Sequence, residues 1–172
     1  MSALVLVLNA GSSSLKYQLL DADSGTVSAS GVVERIGEPD AKAVARHTVS
    51  GEATTRDVDA PDHHAAMRVV LDAFATDGPP LRPQDLYAVG HRVVHGGDLF
   101  RSPAVVDDAV IDAIQDLVPL APLHNPGNLA GIRAARAAFP ATPQVAVFDT
   151  AFHQTLPPHA FTYAVPREWR ER

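Results

Sequence analysis

The chain has 172 residues, 46% hydrophobic and 20% charged, which is typical of one globular domain with a sizeable core. Its formal net charge of −6 argues against nucleic acid or an anionic membrane as a partner, because both select basic surfaces. The absence of cysteine excludes disulfides, thiolate zinc sites and cysteine nucleophiles. The apolar run at residues 3–8 is too short for a signal peptide or a membrane span, so we expect a cytoplasmic protein.

Two strands are predicted at the start of the chain, at residues 4–8 and 15–20, with a hydroxyl-rich turn between them. Gly11 is expected to take a positive φ there and to let backbone amides turn inward. These amides and the neighbouring serine hydroxyls form a concave group of donors that suits a polyphosphate, and Lys16 adds a positive charge. An ordinary Asn/Gly/Ser hairpin turn is the alternative, and the G-x-x-x-x-G-K-[ST] spacing of a P-loop is not present.

The chain between residues 26 and 80 predicts secondary structure without a chemical signature. Three strands, the last two forming a hairpin, are expected at residues 26–36, 43–49 and 53–58. Asp62 can cap a helix whose inward stripe has the i, i+3, i+4, i+7 spacing: Met67, Val70, Leu71 and Phe74. The adjacent His63 and His64 cannot share one helix face, so we expect both at the surface.

A further strand is predicted at residues 86–97, which end in a pair of glycines. Because side chains alternate along a strand, two sets lie on opposite faces: His91, Val93 and His95 on one, and Arg92 and Val94 on the other. A guanidinium beside a valine suits a small carboxylate with an apolar tail, which Arg92 would bind and Val94 would contact. A buried arginine paired with a structural carboxylate is the alternative. The two histidines have metal-ligand spacing only on a helix, so they are weak evidence for zinc.

Two helices are predicted next. The first begins at Asp107 or Asp108 and turns an apolar stripe inward: Val110, Ile111, Ile114, Leu117 and Val118. The second begins with Asn125 as its N-cap and Pro126 as its first residue. His124 therefore precedes a helix N-terminus, where anions are favoured. A histidine that binds a loop carbonyl is the alternative.

The apolar run at residues 144–148 has no polar alternation and predicts a strand buried on both faces. Asp149 follows it, at the end of a strand where open α/β sheets place their chemistry, and Asn9 ends the first strand in the same way. Polar residues at two strand ends, a donor-rich turn and a guanidinium together favour phosphoryl transfer. Asp149 as a helix cap or turn residue is the alternative. A last strand is expected at residues 161–165.

Four segments in chain order resemble the signatures of acetate kinase: residues 9–16, 90–97, 120–126 and 147–153. Propionate kinase is a similar alternative. The resemblance extends from Leu4 to Trp169 and matches only the N-terminal part of a family whose members are more than twice as long. It implies that residues 1–172 form an α/β domain of the actin-like ATPase (ribonuclease H-like) type, a mixed sheet with flanking helices. A second domain would lie beyond Arg172, and the family is homodimeric.

The resemblance also implies reversible phosphoryl transfer from ATP to acetate, giving acetyl phosphate and ADP, with Mg²⁺ or Mn²⁺. Two side chains would hold the metal: Asn9 and Asp149. Three would lie beside the nucleotide phosphates: Ser12, Ser14 and Lys16. Arg92 would bind the acetate carboxylate, and Val94 and Leu123 would contact its methyl group. His124 would contact the transferring phosphoryl group.

Charge balance refines one of these roles. Acetate is already ionised near neutral pH, because carboxyl groups titrate near about pH 4. Asp149 therefore need not act as a base when acetyl phosphate forms, and we expect it to orient Mg²⁺ and its waters. The main catalytic task is to position two anions and to neutralise the transferring group, which Arg92, Lys16 and a protonated His124 would do.

Several interpretations stay open. We expect a truncated gene product, a recombinant piece or a proteolytic fragment with little turnover, because the family's adenosine pocket and remaining catalytic residues would lie beyond Arg172. One alternative is a non-catalytic actin-like module that binds phosphate or a partner. Others are a kinase of another acid, such as propionate or butyrate, and an anion-binding protein of unrelated fold.

Overall fold

Residues 3–170 are described by a computed structural model of the protein, and they form an eight-stranded sheet with the order β5-β4-β3-β2-β1-β6-β8-β7. The first five strands are β1 Leu4–Ala10, β2 Ser14–Asp21, β3 Val27–Glu34, β4 Ala43–Val49 and β5 Glu52–Val58. The last three are β6 Leu86–Val93, β7 Ala104–Val105 and β8 Gln144–Phe148.

The sheet is mixed. The three strands β1, β6 and β8 are parallel to one another, with Leu8 and Ala146 both opposite His91, whereas the remaining neighbours pair antiparallel. The carboxyl ends of β1, β6 and β8 therefore meet at one edge of the sheet. This topology brings together the polar residues that the sequence places at the ends of these strands.

Three helices pack on the sheet: α1 His63–Asp77, α2 Asp108–Asp116 and α3 Asn125–Ala138. The carboxylates of Asp62 and Asp107 cap α1 and α2 by accepting from the backbone N–H groups of Ala65 and Val110, each at 2.8 Å. Two single turns follow, α4 Pro158–Phe161 and α5 Arg167–Arg170. None of the helices within residues 3–170 is long and apolar enough to cross a membrane.

The core lies between one face of the sheet and α1, α2 and α3. In β1 the inward residues Leu6, Leu8 and Ala10 are buried. They belong to a cluster that includes α1 and α3 residues: Ala66, Met67, Val70, Phe74, Ala134 and Phe139. A second cluster joins α2 and α3 to β6 and β8: Val93, Ile111, Ile114, Leu129, Ile132 and Phe148. The mixed sheet with flanking helices is therefore confirmed, with α1, α2 and α3 on the same face.

The opposite face corrects one prediction. Residues 144–148 were expected to be buried on both sides, but Val147 is 47% exposed while its neighbours Ala146 and Phe148 are buried. The absence of polar alternation in this strand therefore does not reflect burial on two faces. The open face carries the outward residues of β1 and β6, which include Asn9 and Arg92.

Three other local predictions are wrong. His124 occupies the N-cap position of α3, and Asn125 is the first helical residue and is fully buried. Residues 161–165 form no strand, because Phe161 ends a helical turn and Tyr163 is 82% exposed with no strand beside it. His63 is buried rather than at the surface, although His64 is exposed as expected.

Candidate active site

Three side chains meet on the open face, at the carboxyl ends of β1, β6 and β8. The Arg92 guanidinium lies between Asp149 and Asn9. Its Nε donates to Asp149 Oδ1 at 3.0 Å and its Nη2 to Asp149 Oδ2 at 2.6 Å. Its Nη1 donates to Asn9 Oδ1 at 3.4 Å. The three residues come from widely separated parts of the chain, and we call them the Asn9–Arg92–Asp149 cluster.

The alternation predicted for β6 sets the direction of this guanidinium. His91 and Val93 point into the core and are buried, so Arg92 points to the open face. Val94 is half-buried and lies just after the strand, which ends four residues before the expected Gly97. The sequence pattern therefore placed Arg92 on the correct face, although it made the strand too long.

Arg92 and Asp149 form a bidentate ion pair at the surface. Their side chains are 48% and 42% exposed, so the pair is accessible to small ions in solution. The hydrogen bond from Arg92 to Asp149 raises the pKa of Arg92 above its ordinary value, and the guanidinium is charged at every working pH. The alternative interpretation of the sequence was a buried arginine paired with a structural carboxylate. Arg92 does have a carboxylate partner, but the pair is exposed.

The serine loop, residues 11–14, follows β1 and turns tightly. The backbone N–H of Gly11 donates to the carbonyl oxygen of Ser14 at 2.8 Å, and the His63 ring binds the Gly11 carbonyl oxygen through Nε2 at 2.8 Å. Ser12 is exposed and Ser14 is half-buried at the start of β2. Gly11 does not have the positive φ that we expected. A Cβ added at Gly11 would lie 3.0 Å from Ser14 Oγ, so a larger residue here would displace that hydroxyl.

Lys16 lies beside the cluster. It is exposed, and the β1–β2 register places it directly opposite Asn9, so the two side chains share the open face. A groove of about 500 Å³ runs from this point along the face and includes Asn9, Lys16, Gln18 and Arg46. Lys16 and Arg46 give this groove a local positive charge, although the protein as a whole is acidic.

The start of α3 carries the other two predicted site residues. Leu123 is 78% exposed, and His124 is exposed at the N-cap position. Within residues 3–170, no hydrogen bond joins His124 to the Asn9–Arg92–Asp149 cluster. Further along, α3 approaches the serine loop at Gly127, where a Cβ would lie 2.6 Å from the carbonyl oxygen of Gly11.

Comparison with known proteins shows which family the chain resembles. The sequence model described as the Acetokinase family matches residues 4–172. The chain belongs to the acetokinase family. This confirms the resemblance that was based on the four segments, and the actin-like α/β fold that it implied.

Relatives of the acetokinase family give the degree of similarity. The chain is 58% identical to the acetate kinase of Clavibacter michiganensis over 164 residues, which are 95% of this chain and 41% of that protein. It is 41% identical to the crystal structure of Porphyromonas gingivalis acetate kinase, with a TM-score of 0.91, over 98% of this chain and 43% of that one. For the propionate kinase from Francisella tularensis the identity is 33% and the TM-score 0.85, over 96% and 42% of the two chains. The chain thus spans about 41% of the length of its acetate kinase relative.

The cluster offers oxygen ligands of the kind that Mg²⁺ prefers. Within residues 3–170 there is no group of three or more histidine and acidic side chains that could hold a metal alone. Mg²⁺ is commonly bound by one or two carboxylates together with waters and substrate phosphates. The Asp149 carboxylate and the Asn9 amide oxygen are ligands of that chemical type, and in this structure both accept hydrogen bonds from Arg92.

Four supporting residues escaped the sequence analysis. His63 binds the serine loop, Thr150 Oγ1 accepts from the Gly96 N–H at 3.0 Å, and buried Asn125 and Asn128 bind backbone groups beyond the strand ends. A signal was present for the asparagines. Asn128 lies inside α3 together with two glycines, and poor helix formers in a helix interior commonly have a packing reason.

Proposed function

We propose that this chain is the N-terminal domain of an acetate kinase and provides the half of the active site that binds acetate and the nucleotide phosphates. The observation that supports this most strongly is the placement of Arg92 between Asn9 and Asp149, at the ends of three neighbouring parallel strands. A reaction between two anions requires a fixed positive charge, and the oxygen atoms of Asn9 and Asp149 hold the Arg92 guanidinium in place.

Each predicted site residue has a role in this proposal. Arg92 binds the acetate carboxylate, and Val94 and Leu123 contact its methyl group. Ser12, Ser14 and Lys16 bind the nucleotide phosphates. His124, before the positive end of the α3 dipole, contacts the transferring phosphoryl group.

The ion pair between Arg92 and Asp149 has a consequence for this reaction. Asp149 accepts from Nε and from one N–H of Nη2, and Asn9 from one N–H of Nη1, so one N–H on each outer nitrogen of Arg92 remains for the acetate carboxylate. Asp149 and Asn9 would hold Mg²⁺ through their oxygens, and the metal would supply positive charge to the phosphate oxygens. Acetate arrives ionised, so no residue has to remove a proton from it.

We also infer a second domain in the complete protein. The chain spans 41% of its relative's length, so we assign the adenosine pocket and the remaining catalytic groups to a second domain. ATP and acetate are the proposed substrates, and the proposed complete protein is a cytoplasmic homodimer. Propionate is the alternative substrate, because a propionate kinase has the same fold with a TM-score of 0.85. A non-catalytic actin-like module is the remaining alternative.

Complementation tests the proposal. The chain alone should form little acetyl phosphate in a hydroxamate assay with ATP, Mg²⁺ and acetate. Adding the separately expressed C-terminal part of the Clavibacter michiganensis acetate kinase should restore turnover toward the range of about 1–100 per second that kinases show. Full turnover by the chain alone would contradict the two-domain proposal. No turnover after stable association of the two parts would favour the non-catalytic module. Replacing acetate with propionate separates the two substrates.

A further inference from the structure

One buried amide joins the two loops that carry the site. The parallel register of β1 and β6 ends at Leu8 and His91, so Ala10 and Val94 lie beyond the last paired residues. Asn128 of α3 spans the gap between them. Its Nδ2 donates to the Ala10 carbonyl oxygen at 2.7 Å, and its Oδ1 accepts from the Val94 N–H at 3.0 Å.

The carboxamide of Asn128 acts here like an additional peptide group. It offers one donor and one acceptor to two strands that have stopped pairing with each other. The side chain is only 4% exposed, so water cannot readily replace either bond. Among the described residues no buried side-chain nitrogen or oxygen lacks a partner, so both functions of this amide are used.

The surrounding residues bring α3 close enough for this contact. A Cβ on Gly127 would lie 2.6 Å from the Gly11 carbonyl oxygen, and one on Gly131 would meet Ala10 Cβ. One turn before Asn128, the fully buried Asn125 binds both backbone groups of His95, at 3.2 Å and 3.0 Å. The first turns of α3 therefore contact both loops at once.

We propose that Asn128 is a positioning residue that fixes the distance between the serine loop and Arg92. This rests on the function proposed above. Ala10 directly precedes the serine loop, and Val94 comes two residues after Arg92, so the amide sets how far the phosphate-binding residues lie from the acetate-binding residue. In-line transfer needs the two substrates at a defined separation, and a displacement of about 1 Å can reduce the rate about 100-fold.

Two substitutions test the two hydrogen bonds of Asn128 separately. Asn128→Asp keeps an acceptor for the Val94 N–H but removes the donor to the Ala10 carbonyl oxygen. Asn128→Ala removes both bonds. Ile132→Val is the matched control, because Ile132 is a fully buried residue one turn further along α3 that contacts neither loop through hydrogen bonds.

The first measurement is amide hydrogen exchange in the chain itself. In Asn128→Ala the Val94 amide should exchange about tenfold faster or more, relative to amides of the β1–β2 ladder, because it loses a buried hydrogen bond. In Asn128→Asp and Ile132→Val its relative rate should stay near the wild-type value. Unchanged relative exchange in Asn128→Ala would show that the amide does not hold this loop, and would overturn the inference.

The second measurement is steady-state kinetics of the complemented chain. Asn128→Asp should lower kcat about 100-fold, while KM for acetate changes less than about threefold, because Arg92 stays in β6 and the Val94 N–H keeps its acceptor. If both asparagine variants retain the kcat of Ile132→Val, the residue is only structural and the inference fails. A wild-type complement that associates stably but is inactive overturns the proposed function instead, and hydrogen exchange then decides separately whether Asn128 holds the two loops.

Discussion

The two halves of the sheet hold their strands in different ways. In the parallel half, made of β1, β6 and β8, side chains bind the backbone beyond the strand ends: Asn125, Asn128 and Thr150. In the antiparallel half, from β2 to β5, backbone ladders hold the strands, with one register shift between Leu19 and Leu20. Its buried polar pair, Tyr17 and His47, lies in the core. Side chains thus replace backbone pairing where neighbouring strands diverge, which is where a substrate has room to bind.

Each half also carries an arginine–aspartate pair: Arg92 binds Asp149 through Nε and Nη2, whereas Arg56 of β5 binds both oxygens of Asp77, at the end of α1, through Nη2 alone. Arg92 and Asp149 are 2.6 Å apart at the parallel strand ends, and Arg56 and Asp77 are 2.8 Å apart in the antiparallel half. Exposed ion pairs contribute at most about 1 kcal/mol to stability, so neither pair explains the fold. We assign a function to the first pair alone.

The largest expected effect comes from breaking these two pairs separately. In the complemented chain, Arg92→Ala should lower kcat/KM for acetate about 100- to 1000-fold, because the carboxylate loses its fixed cation. Arg56→Ala should leave kcat/KM unchanged. Both variants should lose no more than about 1 kcal/mol of unfolding free energy in urea. Equal kcat/KM losses in the two variants would remove the distinction between the halves.

An intermediate effect is expected in the core of the antiparallel half. The Tyr17 hydroxyl donates to His47 Nδ1 at 2.7 Å, and His47 Nε2 binds the Gly78 carbonyl oxygen at 2.8 Å. Burial raises the pKa of Tyr17, so the hydroxyl stays protonated and remains a donor. Tyr17→Phe leaves His47 Nδ1 buried without its donor and should cost about 1–3 kcal/mol of unfolding free energy.

Urea denaturation of Tyr17→Phe measures this cost, and the kinetics of the complemented variant provide the contrast. kcat should stay at the wild-type value, since the lost bond lies away from the strand ends. A large loss of kcat with unchanged stability would mean that the antiparallel half also positions the site.

The smallest effect concerns pH and the buried His91 of the parallel half. Burial lowers the pKa of His91 below its ordinary value of 6.5, and its Nε2–H donates to Gln144 Oε1 at 2.8 Å. The unfolded chain therefore protonates His91 near pH 6.5, whereas the folded chain protonates it only at a lower pH. The contribution of His91 to the free energy of unfolding is therefore highest above pH 6.5 and falls as the pH falls below it, by at most about 1.4 kcal/mol per pH unit.

Urea denaturation between pH 7 and pH 5 tests this dependence. His91→Gln removes the titrating group and should flatten the decline, whereas the exposed His64 changed to Gln should leave it in place. An identical decline in the His91 variant would assign it to other groups.

Local patterns in the sequence predicted much of the sheet and part of the site. Alternation along β6 placed Arg92 opposite the buried His91, and the caps at Asp62 and Asp107 marked the helix starts. These features depend on residues close in sequence, so short patterns contain them. The polar residues at strand ends, Asn9 and Asp149, also pointed to one edge of the sheet because parallel topology fixes where they meet.

The errors arose where the structure depends on distant residues. His63 looked like a surface histidine until α1 was placed against the serine loop, where its ring binds the Gly11 carbonyl oxygen. Asn125 matched a capping pattern, but its side chain instead hydrogen-bonds to the backbone of His95, two residues after the end of β6. The apolar residues near Phe161 favoured a strand, although the structure described for residues 3–170 has no strand that pairs with them. The catalytic roles themselves stay predictions.

Direct observation of the Arg92 side chain would test the central claim that its guanidinium binds the substrate carboxylate. The Nε–H resonance of Arg92 can be followed by nitrogen-15 NMR in the complemented chain, with ADP and Mg²⁺ present, while acetate is added. We predict a saturable shift of the Arg92 resonance at acetate concentrations near KM, with the resonance of Arg56 unmoved. An Arg92 resonance that stays in place, while the same complemented chain forms acetyl phosphate in a parallel assay with ATP, would contradict the claim.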